Sequence, residues 1–464
     1  INGDWLSKNY DYGINNKSGT MGAITNTGII SGSGNGASSS TGSGISNITT
    51  PGNTTTMGAI INTGIISGTG TGSGGSGSGI YNGSSGTMGT ITNTGVIYGK
   101  DNAIKNEKND NITVNNYGIL VNGKDQDVNA GINDTNYGLI IKNEGENQGD
   151  ITAGTTETQD IPIPFYDAEG NGHECMSLLR DLGMNAIRLR VWVNPDQGWS
   201  EEEGFFNPEG WCDKDDVVTK AWRAHNLGYR IMIDFHYSDI WADPGRQEKP
   251  AAWANLSFDE LKQAVADHTT EVLSAIKARG IDVEWVQVGN ETRTGMLKPD
   301  GAASSGKTAN FAQLVTAGYD AVKTIYPEAK VIVHIDQGNN PNRYIWLFDG
   351  LKADGGKWDV IGMSLYPEPD TQDWRQLNND CIANMKSLIE RYNTPVMMCE
   401  LGIYWNYEEA EEFFTDFMTK AKEIDQCLGV FTWEPQSYGG WKGYHKGLFD
   451  DTGKPTNAFN AFKR

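Results

Sequence analysis

The sequence predicts an α/β protein, a (β/α)8 TIM barrel behind an N-terminal Gly/Ser/Thr/Asn-rich repeat region that is either β-helix-like or disordered. Three observations carry this. From about residue 171, short β-branched runs alternate with amphipathic stretches, the pattern of a parallel sheet with helical crossovers. Polar side chains gather at the C-terminal ends of those runs, where barrel enzymes place their chemistry. Before residue 150 one phrase recurs at steps of 20 to 36 residues, which marks a repeat architecture. The 464 residues exceed one ordinary domain, and composition divides them. Residues 1–150 hold 31 of the 58 Gly, whereas 13 of the 14 Trp follow them. The expected domains are residues 1–150 and 151–464.

Three copies of the phrase align: TMGAITNTGIISG from Thr20, TMGAIINTGIISG from Thr56 and TMGTITNTGVIYG from Thr87. NNYGILVNG from Asn115 and TNYGLIIKN from Thr135 echo them. Measured on the Gly of each Asn-x-Gly (Gly28, Gly64, Gly95, Gly118, Gly138), the steps are 36, 31, 23 and 20 residues. Each unit offers a β-branched run too short to bury itself, which gains a core only by stacking on the next copy as a rung of a parallel β-helix. The intervening SGSGNGASSSTGSG and GTGTGSGGSGSG have spacer composition, so a solenoid and a disordered linker both stay open. The phrase resembles passenger repeats of autotransporter-type adhesins. Neither reading supplies catalytic groups.

The strand-like runs of the second part are AIRLRVWV from Ala186, YRIMIDFH from Tyr229, VEWVQVGN from Val283, KVIVHID from Lys330, WDVIGMSLY from Trp358, PVMMCE from Pro395 and LGVFTW from Leu428. Helical stretches between them run from Asp213 to Asn226, Asp259 to Arg279, Thr308 to Tyr326, Trp374 to Tyr392 and Glu408 to Glu423. Seven such runs approach an eight-stranded barrel, and no GxGxxG follows the first to suggest a doubly wound sheet.

Reading the ends of the runs gives Arg190, His236, Asn290 with Glu291, His334 with Asp336, Tyr366, Glu400 and Trp433. One of them alone would serve as a rim cap; a whole ring of them points to chemistry. Glu291 and Glu400 are 109 residues apart, on the fourth and seventh strands if one early strand is unrecognised. Retaining glycosidases need two carboxyl groups about 5 to 5.5 Å apart, one protonated and one ionised. Asp239 and Trp241, just after the second run, suit either sugar contact or loop packing.

The strings IRLRVWVNP, IDFHYSDIWADP, EWVQVGNE, SLYP, CELG and FTWEP resemble glycoside hydrolase family 53, the endo-β-1,4-galactanases, over about residues 161–464. The resemblance implies retaining hydrolysis, with Glu291 as acid/base and Glu400 as nucleophile. Asn290 would meet the sugar 2-hydroxyl, Tyr366 would orient the nucleophile, Arg190 and His236 would support the pair, and Trp433 would lie under the sugar ring. Asp239, Trp241, His334 and Asp336 complete the expected sugar-binding set. It implies a galactan or pectic arabinogalactan substrate, a monomer, a secreted or cell-surface location, and no required cofactor. Some bacterial members bind calcium near the last loops, but GYHKGLFDDTGKP from Gly443 lacks EF-hand spacing, and turn chemistry accounts for Asp450, Asp451 and Gly453.

The chain departs from the family at its first strand. Members carry a Gly-Ala-Asp-x-Ser strand before a phrase like FYDAEG at Phe165; here QGDITAGTTETQDIPI offers only Gly149, Asp150 and Glu157. A barrel one strand short exposes two edges. The alternatives are another retaining β-glycanase, acting on mannan, xylan or cellulose, or a surface adhesin or structural solenoid with an inactive barrel.

Composition excludes other classes. With 37 Lys plus Arg against 59 Asp plus Glu, a formal charge of -22, a basic nucleic-acid surface is ruled out. No run of 18 apolar residues predicts a membrane span, and no intact signal peptide is visible. Cys175, Cys212, Cys381, Cys399 and Cys427 have no CxxC spacing, so neither a zinc site nor a disulfide framework is indicated.

Overall fold

In the computed structural model, Ile14, Ile45, Ile80 and Ile104 fall in register on four parallel strands, Tyr10–Asn16, Thr41–Asn47, Ser76–Asn82 and Asn102–Asn106. The structure describes residues 10–142 and 165–463, apart from 27, 35–40, 49–52, 71–75, 94, 108–111, 117–118, 123–131, 137–138, 169–171, 174, 196–211 and 441–442. The expected domain boundary and the expected first barrel strand, with Gly149, Asp150 and Glu157, lie outside the described residues. Two compact units result, Ile1–Asp181 with Thr452–Lys454, and Leu182–Asp451 with Pro455–Arg464.

Within the first unit, the described residues between 10 and 142 form a solenoid of parallel strands. Successive repeats supply successive strands to the same sheets: Gly19–Met21, Thr55–Met57 and Gly86–Met88 form one, and five strands from Ile24–Asn26 to Ile132–Asn136 another. Of the two readings left open by the sequence, the solenoid is the one adopted. The interior is a stack of like residues, with Ile30, Ile66, Ile97 and Leu120 all buried. Two ladders of asparagine amides run through it. Asn26 donates to Asn62 at 2.8 Å, Asn62 to Asn93 at 2.7 Å and Asn93 to Asn116 at 2.8 Å. Asn16, Asn47, Asn82 and Asn106 form the second, at 3.0, 2.8 and 2.9 Å. An amide carries an acceptor oxygen and two N–H donors, so each can bond the next rung and a backbone carbonyl at once, as Asn26 does to Asn62 and Ile65 O, which a hydroxyl with its single O–H cannot. Gly44 is needed for close packing, because a Cβ there would stand 2.7 Å from both Ile66 Cγ2 and Ser67 O.

Asn62→Ala is expected to destabilise this unit by about 2 kcal/mol, since it removes the ladder acceptor of Asn26 Nδ2 and the ladder donor to Asn93 Oδ1, both buried. Thr25→Ala, at an exposed position, is expected to change little. Limited proteolysis of the full chain, with cut sites mapped by mass, checks this. Equal protection of residues 20–122 in both variants would contradict the ladder's role.

The second unit carries seven parallel strands hydrogen-bonded in chain order: β1 Ala186–Val191, β2 Arg230–Phe235, β3 Trp285–Val288, β4 Lys330–Ile335, β5 Val360–Leu365, β6 Val396–Leu401 and β7 Cys427–Val430. Helices follow most of them. Phe258–Lys277 begins at a capping box between Ser257 and Glu260. Trp374–Tyr392 begins on Asp373, whose side chain accepts from Arg375 N and Gln376 N, and ends on Asn393 at φ 51°. Pro341–Ala353 is a helix additional to those read from the sequence. Its signature was Pro at the first position, with Tyr344, Leu347, Phe348 and Leu351 recurring along one face.

Ala186, Met232, Trp285, Ile332, Val360, Met397, Cys399, Leu428 and Phe431 cluster together, at least one from every strand, and so form the floor of the barrel interior. At β6 the register slips: Met363 of β5 pairs with Met398, but the next residue, Ser364, pairs with Glu400. Cys399 is thus the extra residue of a β-bulge. Simple alternation from Met397 and Cys399 would turn Glu400 outward; the bulge turns it inward.

Candidate active site

Two residues beyond the apolar floor, the same strand faces become polar: Arg188 after Ala186, Asp234 after Met232, Gln287 after Trp285 and His334 after Ile332. Arg188 is the hub of this layer. Its Nη2 donates to Asn290 Oδ1 at 2.7 Å and forms an ion pair with Asp234 Oδ2 at 2.8 Å, and its Nε donates to Gln287 Oε1 at 3.1 Å. Its Nη1 lies 3.1 Å from Glu400 Oε1, an ion pair rather than an aligned hydrogen bond. Five donors in a fixed fork suit this task. Asp234 and Glu400 keep the guanidinium charged although it is buried.

The glutamates meet different partners. Glu400 accepts from the Tyr366 hydroxyl at 2.8 Å and faces Arg188. Burial raises its carboxyl above the usual range, against the opposing pull of Arg188 and Tyr366. Among the described residues, Glu291 accepts only from Ser364 Oγ, at 2.5 Å. Burial, and then the charge of Glu400, push its carboxyl well above the usual range. Because Ser364 is the register partner of Glu400, it ties Glu291 to the strand beside its counterpart, roughly 4.8 Å away. Glu291 sits at φ 45° and the nearby Gly289 at φ 81°. A left-handed glutamate costs about 1 kcal/mol or more, and Thr292, bonded through N and Oγ1 to His334 O at 2.8 and 3.2 Å, holds the turn.

Several expected contacts are placed differently. Arg190 is engaged with other partners: its guanidinium bonds to Glu434 and lies over the rings of Trp192 and Trp241 at 5.4 and 5.5 Å. Arg188, one pleat deeper, takes the supporting position. Asp239 is a loop anchor, one oxygen accepting from Asn194 N and the other from Ala251 N, both at 2.8 Å. His334 has no exposed surface and its Nδ1 bonds to Asn290 Oδ1 at 2.9 Å, so it works beneath the cleft and not along it. His236 accepts from Ala242 N at Nδ1 (2.9 Å), which places its proton on Nε2, facing Asp234 Oδ2 at 3.1 Å. Burial lowers its pKa and keeps it neutral. Trp241 packs edge-on against Trp192, ring centroids 5.5 Å apart.

Asn290 is fixed by charge: Arg188 can only donate, so the amide oxygen faces it and the amide nitrogen donates to Ala242 O at 2.8 Å. Trp433 is half-buried and packs edge-on with Tyr444 at 4.6 Å. A Cβ at Gly402 would lie 2.7 Å from the Tyr366 ring, so only glycine admits that ring beside Glu400. A cleft of about 240 Å3 is lined by Glu291, Ser364, Tyr366, Asp336 and Pro244, among others. Among the described residues, no group of three or more His, Cys, Asp or Glu side chains is arranged to hold a metal ion. Gln287, Asp234 and Ser364 were not singled out from the sequence. Each was visible there as a polar residue inside an apolar strand run.

Residues 148–414 match the family model described as Glycosyl hydrolase family 53. The chain is 30% identical over 341 residues to an uncharacterized protein of Niallia circulans, covering 64% of this chain and 88% of that one. It is 29% identical over 281 residues to an endo-beta-1,4-galactanase of Bacillus subtilis (strain 168), covering 59% of this chain and 61% of that one. The GH53 catalytic domain of Ignisphaera aggregans superposes with a TM-score of 0.55 at 29% identity, covering 64% of this chain and 90% of that one.

Proposed function

The chain belongs to glycosyl hydrolase family 53, and on that premise we propose that it is an endo-acting, retaining galactanase cleaving β-1,4-galactosidic bonds in galactan and type I arabinogalactan. The observation that carries the reading is the unequal surroundings of two glutamates, Glu291 lining the cleft and Glu400 bonded to Tyr366, which lines it too. Glu400, held by Arg188 and Tyr366, loses its proton first and is the nucleophile. Glu291, with a single hydroxyl partner and the charge of Glu400 nearby, keeps its proton and is the acid. In the first step a Glu400 oxygen bonds to the anomeric carbon while the Glu291 proton passes to the departing glycosidic oxygen. In the second, Glu291 takes a proton from water, whose oxygen displaces Glu400. Asn290 offers its amide near the 2-hydroxyl, and Trp433 an apolar face for the sugar ring. Every group invoked comes from one chain, and none of these steps requires a cofactor.

The galactan assignment rests on the named relative in Bacillus subtilis. A polymeric substrate also favours a secreted or cell-surface location; among the described residues no helix is long and apolar enough to cross a membrane. Incubation with unbranched β-1,4-galactan is expected to release short galacto-oligosaccharides. Release from mannan, xylan or cellulose instead would reassign the substrate.

The pH profile tests the role of Tyr366. Its hydroxyl stabilises ionised Glu400, so Tyr366→Phe raises that carboxyl, and the acid limb of kcat/KM should move up by roughly half to one pH unit. The basic limb, set by Glu291, should move less. An unmoved acid limb would remove Tyr366 from this role.

A further inference from the structure

Around Asp336, which lines the cleft with Glu291, lies a charge arrangement that the hydrolytic steps above do not use. Arg293 Nη1 and Arg343 Nη1 both bond to one oxygen of Asp336, Oδ2, each at 2.8 Å. Among the described residues, each guanidinium makes only this one side-chain bond, and their side chains are 24% and 26% exposed. The other carboxylate oxygen, Asp336 Oδ1, is buried and accepts no hydrogen bond among the described residues. Asp336 lines the same cleft as Glu291. Arg343 lies in the first turn of helix Pro341–Ala353, which has no acidic residue there and no side-chain cap on Asn340, so that turn adds positive potential.

Two guanidinium charges against one carboxylate leave a local charge of +1 on a chain whose formal charge is -22. Sharing a single acceptor oxygen leaves most of the guanidinium N–H groups available, and their planar forks match a carboxylate. We propose that Arg293, Arg343 and Asp336 form a subsite for one carboxylate-bearing sugar, a uronic acid, on the leaving-group side of the cleft. The sugar carboxylate takes the free guanidinium N–H groups, while Asp336 holds the two forks side by side through Oδ2. A single uronate neutralises the site, whereas a polyuronate chain meets the acidic remainder of the protein. The placement on the leaving-group side rests on Glu291 being the proton donor; the subsite itself does not depend on hydrolysis.

The test is calorimetric binding of D-galacturonate and D-galactose to the native protein at low salt, which reads the subsite without reference to galactanase activity. Galacturonate is expected to bind about tenfold more tightly than galactose. The difference should shrink at 0.5 M NaCl, as an ion pair requires, and should vanish in Arg343→Gln, where Arg293 still holds Asp336. Equal affinity for the two sugars in the native protein would overturn the proposal. So would a galacturonate preference that persists in Arg343→Gln and in Arg293→Gln with unaltered salt dependence. If galactan is not cleaved yet galacturonate binds in this way, the functional reading fails and the subsite stands.

Discussion

Glu400→Ala is expected to lose galactan hydrolysis by roughly four orders of magnitude or more, because no other group can bond to the anomeric carbon. On an activated aryl β-galactoside, added azide should enter the space left by the carboxylate and attack that carbon directly, giving a glycosyl azide of inverted configuration. Glu291→Ala fails differently. A good leaving group needs little protonation, so this variant should still form the glycosyl-enzyme from the aryl substrate while losing nearly all activity on galactan. Azide then displaces Glu400 from the intermediate, and the second inversion yields a product of retained configuration. The reverse pattern of anomers, or near-normal galactan hydrolysis by either variant, would exchange or abolish the assigned roles.

The other large effect is expected at Arg188. Removing its guanidinium leaves Asp234 and Glu400 as buried carboxylates without their cation, and Asn290 without the donor that fixes its amide. Arg188→Met should therefore cost about 3 to 5 kcal/mol of stability and lower kcat by at least roughly a hundredfold, since Glu400 would hold its proton at the working pH. The double variant Arg188→Met, Asp234→Asn removes one stranded charge as well, and should regain part of the stability but none of the activity. Thermal denaturation and kcat measured on the same preparations separate the two effects. Full activity in the double variant would show that Arg188 only stabilises the fold.

Much of this was legible in the sequence because barrel strands are short, apolar and end in polar residues. Five of the seven predicted runs contain their strands whole, the runs from Pro395 and Leu428 each miss one terminal residue, Leu401 and Cys427, and the helix Trp374–Tyr392 has the predicted limits. What the sequence left open was depth. Arg188 and Arg190 have the same parity on β1, so alternation turns both inward, but it does not say which one reaches the level of Glu400. That level depends on the stagger between strands and on the bulge at Cys399, neither of which has a one-residue signature. The same ambiguity hid the use of Asp239: a carboxylate after a strand end looks alike whether it meets sugar or two backbone N–H groups. In the repeat unit, Gly/Ser-rich composition reads equally as spacer or solenoid. The structure shows why the asparagines decide it, since their amides are the groups that let a polar stack be buried.

A double displacement by Glu400 and Glu291 on β-1,4-galactan fixes which anomer is released first. Proton NMR of unbranched galactan mixed with the native enzyme, followed from the first turnovers, should show the β-anomer of the new reducing end first, with the α-anomer growing in only as mutarotation proceeds. An α-anomer appearing first would mean that water attacks directly, and Glu400 could not then be the nucleophile.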